Sequence, residues 1–298
     1  MSSGILFVDK PRGITSHDVV ARARRALGTR KVGHAGTLDP MATGLLVLGV
    51  DSSTRLLTYL VGLGKQYTAT IRLGQSSTTD DAEGELSEPV SASDVTGEAI
   101  ENAIAALTGE IQQVPSTFSA IKVDGRRSYE RARAGEEVAL SARTVTVSRF
   151  ELLGSRSDGP LLDLDVVVDC SSGTYIRALA RDLGAALGVG GYLTALRRTA
   201  VGPFEVVDAA PADAITLESL RAPTAVAGQL FPSIHLSGEQ LTALTQGKKL
   251  QIAELAGDSP DAAVVAALAP SGRLAGLVSI RHGVARVLVN FPTAEVLA

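Results

Sequence analysis

Hydrophobic positions in the first part of the chain form short apolar runs, separated by amphipathic stretches. Continuous or alternating apolar residues predict strands, here at residues 5–9, 45–50, 67–73, 145–153 and 161–170. Apolar residues at helical spacing predict helices that begin near Thr15 or Ser16, Thr96 and Thr174. The helices separate some strands but not others, which favours an α+β domain with helices flanking a mixed, largely antiparallel sheet.

The pattern changes after about Gly228. One short helix is followed by strand patterns at residues 262–268, 273–280 and 286–291. Such a β-rich end indicates a small second unit. We therefore predict two domains, which comprise residues 1–231 and 232–298.

Composition limits the class of protein. The 298 residues suffice for one large core and a smaller second domain. The hydrophobic content of 45% suits a folded soluble protein, and no apolar run reaches the roughly 18 residues that cross a bilayer. The segment MSSGILFVDKPRG lacks the pattern of a secretion signal. A cytoplasmic protein without a membrane partner is therefore expected.

The sequence does not predict metal or disulfide chemistry. Cys170 is the only cysteine, which excludes an internal disulfide and a cysteine metal cluster. The histidines at positions 17, 34, 235 and 282 lack metal-ligand spacing such as HExxH. Neither a GxGxxG nor a GxxxxGK[ST] loop is present, which argues against a nucleotide-dependent enzyme.

Charge is distributed unevenly along the chain. The net charge of -4 is unfavourable for binding nucleic acid. However, residues 10–31 contain seven Lys or Arg and one acidic residue, whereas residues 76–110 contain nine acidic residues and no basic one. Residues 122–149 contain seven Lys or Arg and four acidic residues. This segregation permits a basic face that binds nucleic acid, although ordinary solvated helix faces explain the charges equally well.

Residues 33–49, GHAGTLDPMATGLLVLG, place Asp39 on a turn before an apolar strand. The glycines accept backbone conformations that other residues resist. Pro40 fixes its own φ and keeps Asp39 out of the helical region. A reactive carboxylate on a stiff turn beside a core strand is accurately positioned. An isolated Asp-Pro more often forms an Asx-turn, so the turn alone leaves a structural role open.

The same string resembles the HxGxLDPxATG motif that surrounds the catalytic aspartate in the TruB family, the tRNA pseudouridine-55 synthases. The matching positions are His34, Gly36, Leu38, Asp39, Pro40, Ala42, Thr43 and Gly44. Further segments resemble the family in the expected order: VDKPRGITSHDVV, KQYTATIRLGQSSTTDDAEG, VPSTFSAIKVDGRRSYERARAGEEV, SSGTYIRALARDLGAALG and YLTALRRTAVGPF. Together they cover most of residues 5–205.

The resemblance implies a pseudouridine synthase fold and an isomerase that converts uridine 55 in the T-loop of tRNA to pseudouridine. The base leaves the stack, its N1–C1′ bond breaks, and a C5–C1′ bond forms. No redox change occurs and no group leaves, so neither a cofactor nor a metal is expected. By analogy, Asp39 acts as the nucleophile or as the base that removes a ribose 2′ proton, and both routes need it ionised.

The resemblance assigns two further catalytic residues. Arg177, in the string GTYIRAL, would hold the Asp39 carboxylate ionised, because arginine stays charged and grips with two donors. Tyr67 would stack on the flipped base and could also take the C5 proton. Without the resemblance, Arg177 is a surface residue at a helix start and Tyr67 is a core residue.

Three more residues are implied to contact the substrate or adjoin the site. His34 would enter the RNA fold near the flipped nucleotide, and Leu196 would pack on the bound base. Asp81 matches an acidic position next to the catalytic residues. The alternatives are that His34 supports its turn and that Asp81 belongs to a plain loop.

Two segments resemble RNA-binding parts of such enzymes. Residues 119–138 resemble the thumb insertion that grips RNA, and their basic residues are Lys122, Arg126, Arg127, Arg131 and Arg133. Unpaired charges and flexible glycines predict that this segment is mobile without RNA and ordered with it. Residues 232–298 resemble a PUA domain, a small RNA-binding barrel, and the alternative is a purely structural appendage.

Three functions are weighed. The first is a stand-alone tRNA pseudouridine synthase, monomeric, with the tRNA T-arm as partner and no guide RNA or obligate protein partner. The second, a non-catalytic RNA-binding or RNA-folding protein, does not require the set Asp39, Tyr67 and Arg177. The third, a guide-dependent paralogue, carries long basic extensions that this sequence lacks. The first is therefore preferred.

Overall fold

The computed structural model describes residues 3–116, 122–123, 126–127, 140–252 and 264–297. Up to residue 230 the helices are α1 (Ser16–Leu27), α2 (Leu57–Val61), α3 (Gly97–Ala106), α4 (Ile176–Ala186) and α5 (Pro223–Leu230). The strands are β1 (Gly4–Lys10), β2 (Val32–His34), β3 (Thr43–Val50), β4 (Lys65–Leu73), β5 (Gly109–Gln113), β6 (Lys122–Val123), β7 (Arg126–Arg127), β8 (Arg143–Asp158), β9 (Leu161–Cys170), β10 (Gly191–Val201), β11 (Phe204–Glu205), β12 (Ala210–Pro211) and β13 (Leu220–Arg221).

A second group of elements follows residue 231. It consists of β14 (Ser233–His235), α6 (Gly238–Thr245), β15 (Leu250–Gln251), β16 (Val264–Leu268), β17 (Leu274–Arg281), β18 (Val284–Asn290) and α7 (Thr293–Leu297).

A mixed sheet forms the centre of the larger unit. Its strands follow the order β12-β1-β3-β10-β4-β9-β8-β5, and three short strands pair off this path: β2 with β3, β11 with β10 and β13 with β1. The β1–β12 and β3–β10 pairs are parallel, whereas the other neighbours along this path are antiparallel. The predicted α+β fold with a mixed, largely antiparallel sheet is therefore confirmed.

Local sequence patterns explain the elements that carry the candidate site. Strand β4 alternates buried and half-exposed residues along its whole length, as the period of two in its sequence requires. Helix α1 begins at a capping box formed by Thr15 and Asp18. Helix α4 buries Leu179, Ala180 and Leu183 in the same core cluster as β4. This shared core brings the helix and the strand together.

The C-terminal unit is a five-stranded sheet with the order β14-β16-β17-β18-β15, and its core is continuous with that of the larger unit. Leu277 belongs to the same buried cluster as Ile5 and Phe7 of β1. On the other face of β1, Leu6 and Val8 pack with α1. Strand β1 therefore lies between two packed layers. The division at residue 231 and the PUA-like character of the second unit remain predictions.

One central strand is missing from the sequence prediction, and one predicted segment lies largely outside the described residues. The hydrophobic pattern does not predict a strand at Gly191–Val201, yet β10 lies in the middle of the central sheet. Within the thumb-like segment, the described parts are the paired strands β6 and β7. The predicted mobility of that segment otherwise concerns residues outside the described ranges. No helix in those ranges is both long and apolar enough to cross a bilayer.

Candidate active site

The loop between β2 and β3 carries Asp39, and contacts on both sides of this residue fix the loop. Before it, the Leu38 N–H donates to Ser16 Oγ at 2.8 Å, and the Ser16 hydroxyl donates to the Leu38 carbonyl at 3.0 Å. After it, the Pro40 carbonyl accepts from the buried Lys10 ammonium at 3.3 Å. Burial lowers the pKa of Lys10 to about 8. The loop is therefore held by α1 and β1.

A close approach between β3 and β10 fixes the far end of the loop. Gly44 has a φ of 99°, and a Cβ there would lie 2.2 Å from the Arg198 carbonyl oxygen. The buried Arg198 side chain donates to the carbonyls of Gly36 at 3.1 Å and Leu45 at 2.7 Å. Arg198 is not predictable as a site residue from the sequence, because contacts with backbone carbonyls leave no signature of residue types.

Among the described contacts, Arg177 joins three acceptors next to the loop. Its Nε lies 3.0 Å from Asp39 Oδ2. Its Nη1 donates to the Thr79 carbonyl at 2.9 Å and lies 3.3 Å from Asp81 Oδ2. Only 5% of the Arg177 side chain is exposed, compared with 40% of the Asp39 side chain. The pairing that the resemblance implies is present, with the cation covered and the carboxylate accessible.

The start of α4 positions Arg177, which is the second residue of the helix. The Gln113 side chain donates to the Tyr175 carbonyl at 3.1 Å and accepts from the Tyr175 N–H at 2.8 Å. Strand β5 therefore fastens the first turn of α4. Since the helix dipole disfavours a cation at this end, the acceptors around Arg177 are needed to stabilise it.

Opposing effects act on the Asp39 carboxylate. Burial raises its pKa above the ordinary value for aspartate, and the positive charge of Arg177 opposes this increase. The negative charge of Asp81 raises the pKa further, whereas Lys10 lowers it. The result is a raised pKa. Such a carboxylate is more basic than a free aspartate, yet a neighbouring cation still favours its ionised form.

A cavity of about 250 Å³ opens beside Asp39. It brings together the three predicted catalytic residues and one predicted substrate contact, namely Asp39, Tyr67, Arg177 and Leu196. The remaining lining includes Lys65 and Arg198, residues 36–38, Val61 and residues 171–176. Tyr67 and Leu196 are both buried and lie on the neighbouring strands β4 and β10. The cavity therefore combines an aromatic and an aliphatic wall with an ion pair.

Tyr67 and Lys65 lie two positions apart on the same face of β4. Burial raises the pKa of Tyr67, against the effect of Arg198, so the phenol is neutral at pH 7. The Lys65 ammonium donates to the carbonyls of Val61 at 2.5 Å and Leu63 at 2.6 Å, and burial lowers its pKa to about 8. Lys65 is not among the predicted site residues, although the alternation of β4 places it on the same face as Tyr67.

Two predicted residues lie outside the cavity lining. Asp81 is buried on the other side of Arg177, and its carboxylate accepts from the Thr79 hydroxyl at 2.6 Å. His34 packs edge to face against His17, with ring centroids 5.7 Å apart. Burial lowers the pKa of His34, and its buried Nδ1 has no hydrogen-bond partner among the described residues. A contact between His34 and RNA stays a prediction.

The predicted thumb residues are described at most by their backbone. Lys122, Arg126 and Arg127 lie in the short paired strands β6 and β7. Arg131 lies outside the described residues. Their contact with RNA stays a prediction. Within the described ranges, no group of three or more His, Cys, Asp or Glu side chains is arranged to hold a metal ion.

Two solved structures share the fold. A chain in the crystal structure of a Cbf5-Nop10-Gar1 complex superposes with a TM-score of 0.71 and 26% identity, over 98% of this chain and 84% of that chain. A chain in the crystal structure of the archaeal box H/ACA sRNP Nop10-Cbf5 complex gives a TM-score of 0.69 and 25% identity, over 97% and 85%. The fold is therefore that of the pseudouridine synthases.

Sequence comparison identifies the family within the pseudouridine synthases. Residues 24–176 match the N-terminal domain of the TruB family pseudouridylate synthases, and residues 177–230 match the tRNA pseudouridylate synthase B C-terminal domain. The tRNA pseudouridine synthase B of Leifsonia xyli subsp. xyli is 58% identical over 99% of both chains. That of Arthrobacter sp. is 56% identical over 99% of both chains. The chain belongs to the TruB family.

Proposed function

We propose that this protein isomerises uridine 55 in the T-loop of tRNA to pseudouridine, without a guide RNA. The observation that carries the proposal is the ion pair between Asp39 and the covered Arg177, at the edge of a cavity walled by Tyr67 and Leu196. Relatives that align along nearly their whole length are tRNA pseudouridine synthases. The substrate class and the site chemistry therefore agree.

The proposed reaction is an isomerisation. The N1–C1′ bond of uridine breaks, the uracil turns within the site, and its C5 bonds to C1′. The C5 proton leaves to solvent, and N1 gains a proton, so that the product has the same atoms as the substrate. Asp39 begins the reaction either by attack as a nucleophile or by removal of the 2′ proton of the ribose. Both routes require the carboxylate that Arg177 keeps ionised.

The cavity walls explain how one base is held during this reaction. A uridine within a folded T-loop must leave its stack before Asp39 can reach the sugar. Tyr67 offers an aromatic face, and stacking of this kind contributes about 1–3 kcal/mol per base. Leu196 supplies an apolar contact from the adjacent strand β10. The base can therefore turn between these walls without returning to solvent.

Tritium release tests the proposed reaction directly. A T-arm RNA labelled at uridine C5 must lose its label when C5 bonds to C1′. Wild-type protein is expected to release the label, and Asp39→Asn is expected to slow release by at least about 10²–10⁴-fold, since a neutral amide cannot act as nucleophile or base. Purified protein and RNA alone are used, so that release also shows independence from a guide RNA.

Asp94→Asn is the matched control, because Asp94 is an exposed aspartate in the turn before α3 and does not line the cavity. It should release the label at the wild-type rate. If folded wild-type protein binds the T-arm but releases no label, the protein is an RNA-binding protein or acts on another RNA.

We also propose where the enzyme acts and in which oligomeric state. Because its proposed substrate is tRNA, we expect the enzyme in the cytoplasm. We expect a monomer, because RNA rather than a second subunit covers the cavity, and a PUA-like C-terminal unit that adds contacts to the tRNA. Sedimentation of the protein with one equivalent of tRNA should show a 1:1 complex, and a 2:2 complex would contradict the monomer.

A further inference from the structure

Asp80 occupies an unusual position next to the Arg177 network. Its backbone is left-handed, with a φ of 60°, which non-glycine residues rarely adopt. The residue is nevertheless buried. Its N–H donates to the Ser77 carbonyl at 3.2 Å, and its carbonyl accepts from the Leu193 N–H at 3.1 Å. Surrounding contacts thus hold a strained conformation, which is typical of functional sites.

Two groups bind the Asp80 carboxylate. Oδ2 accepts from the fully buried Ser116 hydroxyl at 2.7 Å and lies 3.3 Å from Arg181 Nη1. Arg181 also donates to the Val114 carbonyl at 2.7 Å. The carboxylate therefore ties the turn at residues 79–81 to α4 and to residues 114–116, which follow β5.

The residues on either side of Asp80 both hold Arg177. The Thr79 carbonyl accepts from Arg177 Nη1, and the Asp81 carboxylate forms an ion pair with the same nitrogen. The other edge of the guanidinium faces Asp39 through Nε. Any rotation of the turn at Asp80 would therefore move both supports of Arg177 at once and change how its Nε meets Asp39.

Helix α4 repeats this arrangement one turn further on. Arg177 and Arg181 are four residues apart and so lie on the same face of the helix. Arg177 pairs with Asp81, and Arg181 pairs with Asp80. Two neighbouring carboxylates of the turn are therefore bound by arginines on consecutive turns of α4. This double attachment fixes both the distance and the rotation between the turn and the helix.

We propose that Asp80 is a positioning residue for the isomerisation: it locks the turn whose Thr79 carbonyl and Asp81 carboxylate align Arg177 with Asp39. The inference rests on the proposed function. Asp80 contacts neither the cavity nor Asp39 and takes no part in bond changes. Its role is to keep the ion pair in the geometry that the reaction needs, and a misplacement of about 1 Å in such a geometry costs about 10²-fold in rate.

Asp80→Asn tests this role in the single-turnover release of tritium at saturating tRNA. The amide keeps the size of the side chain and an acceptor for Ser116, but it loses the attraction to Arg181. The single-turnover rate is expected to fall by about tenfold or more. The affinity for tRNA and the melting temperature should stay near the wild-type values, because no RNA contact or core packing is removed.

Asp182→Asn is the matched control. Asp182 also pairs with Arg181, at 2.9 Å, but it is partly exposed and belongs to α4 itself rather than to the turn. The variant removes the same charge from the same arginine. Its single-turnover rate should equal that of the wild type, since the turn at Asp80 keeps its attachment.

Ser116→Ala keeps the test valid if Asp80→Asn fails to fold. It removes one of the two groups bound to the Asp80 carboxylate and should lower the single-turnover rate in the same direction, by a smaller factor. Wild-type rates in both variants would overturn the proposal. So would a slowing shared by Asp182→Asn, or one matched by equal losses of tRNA affinity and melting temperature. Absence of release by the wild type itself would instead refute the proposed function.

Discussion

Among the described contacts, the Arg177 guanidinium divides its donors between the Asp39 carboxylate, which we propose is the reacting group, and two structural acceptors. Nε faces Asp39, whereas Nη1 contacts the Thr79 carbonyl and Asp81. A planar fork can serve acceptors on two edges at the same time. A lysine ammonium is a point charge and cannot hold this geometry. The identity of the cation, and not only its charge, is therefore needed at position 177.

Arg177→Lys should move the acidic limb of the pH–rate profile to higher pH. Burial raises the pKa of Asp39, and Arg177 is the main group that opposes the increase. A lysine at this position would oppose it less, so the pKa would rise further. Since the proposed reaction needs the ionised Asp39 carboxylate, we expect the rate to fall as pH decreases through this pKa. We expect a shift of about one pH unit in single-turnover rates measured between pH 5 and 8.

The wild-type profile under the same buffers is the control for this prediction. An acidic limb at the same pH in both proteins would show that Arg177 does not set the ionisation of Asp39. A lower rate at every pH, without a shift of the limb, would assign to Arg177 a role in geometry alone.

At the scale of residues, the sequence predicts the site residues that stand in distinctive sequence motifs. Asp39 and Arg177 stand in specific strings, and the structure brings them together at 3.0 Å. Lys65, Arg198 and Ser16 are not identified, because each acts on backbone carbonyls or amides. A donor to a carbonyl can bind any residue type, so the partner leaves no trace in the sequence.

At the scale of elements, the site depends on how closely β3 and β10 approach each other. Gly44 and Arg198 are partners in the parallel pairing of β3 and β10. The two backbones lie so close there that a Cβ at position 44 would clash with the backbone of Arg198. The strand that carries Leu196 and the loop that carries Asp39 are thereby held at a fixed spacing. Glycine is required here by both its φ of 99° and the lack of space.

Gly44→Ala should lower the free energy of unfolding by about 2–5 kcal/mol, because it adds backbone strain and a clash at once. Gly97→Ala makes the same chemical change at the first residue of α3, where no atom lies within 4 Å of the added Cβ. That control should leave stability unchanged or raise it by up to about 1 kcal/mol. Urea denaturation measures both variants. Equal stabilities of the two variants would show that β3 and β10 separate at little cost.

Elements with regular periodicity are predicted well, and irregular ones are not. Strand β4 follows a strict period of two, and α1 carries a capping box that marks its start. Strand β10 contains two register shifts, between Leu193 and Ala195 and between Arg198 and Ala200. Each shift breaks the alternation of buried and exposed side chains. Its string GYLTALRRTAV therefore lacks a strand pattern, although it lies at the centre of the sheet.

At the scale of the whole molecule, the two sheets share one hydrophobic core. Leu277 in β17 lies in the same cluster as Ile5 and Phe7 of β1. The C-terminal unit is therefore packed onto the larger unit and is not attached to it by a linker alone. A continuous core of this kind favours cooperative unfolding.

Leu277→Ala should destabilise the entire chain in a single transition. The side chain is 0% exposed, and its truncation should cost about 2–5 kcal/mol. Leu288→Ala, in the adjacent strand β18, changes a side chain that is 46% exposed and should cost less than about 1 kcal/mol. Thermal unfolding is followed by circular dichroism and by the accessibility of Cys170, which lies in β9. Two separate transitions, with only one of them shifted, would refute the shared core.

The position of the cations has a consequence for how ionic conditions act on this protein. Lys10, Arg177 and Arg198 are almost completely covered by protein, although the chain as a whole has a net charge of -4. Mobile ions screen exposed charges strongly and covered charges weakly. Added salt should therefore weaken the attraction between exposed cations and RNA, while the potential inside the cavity stays nearly constant. Substitutions that make the surface more acidic can in turn accumulate without altering the electrostatics of the reacting groups.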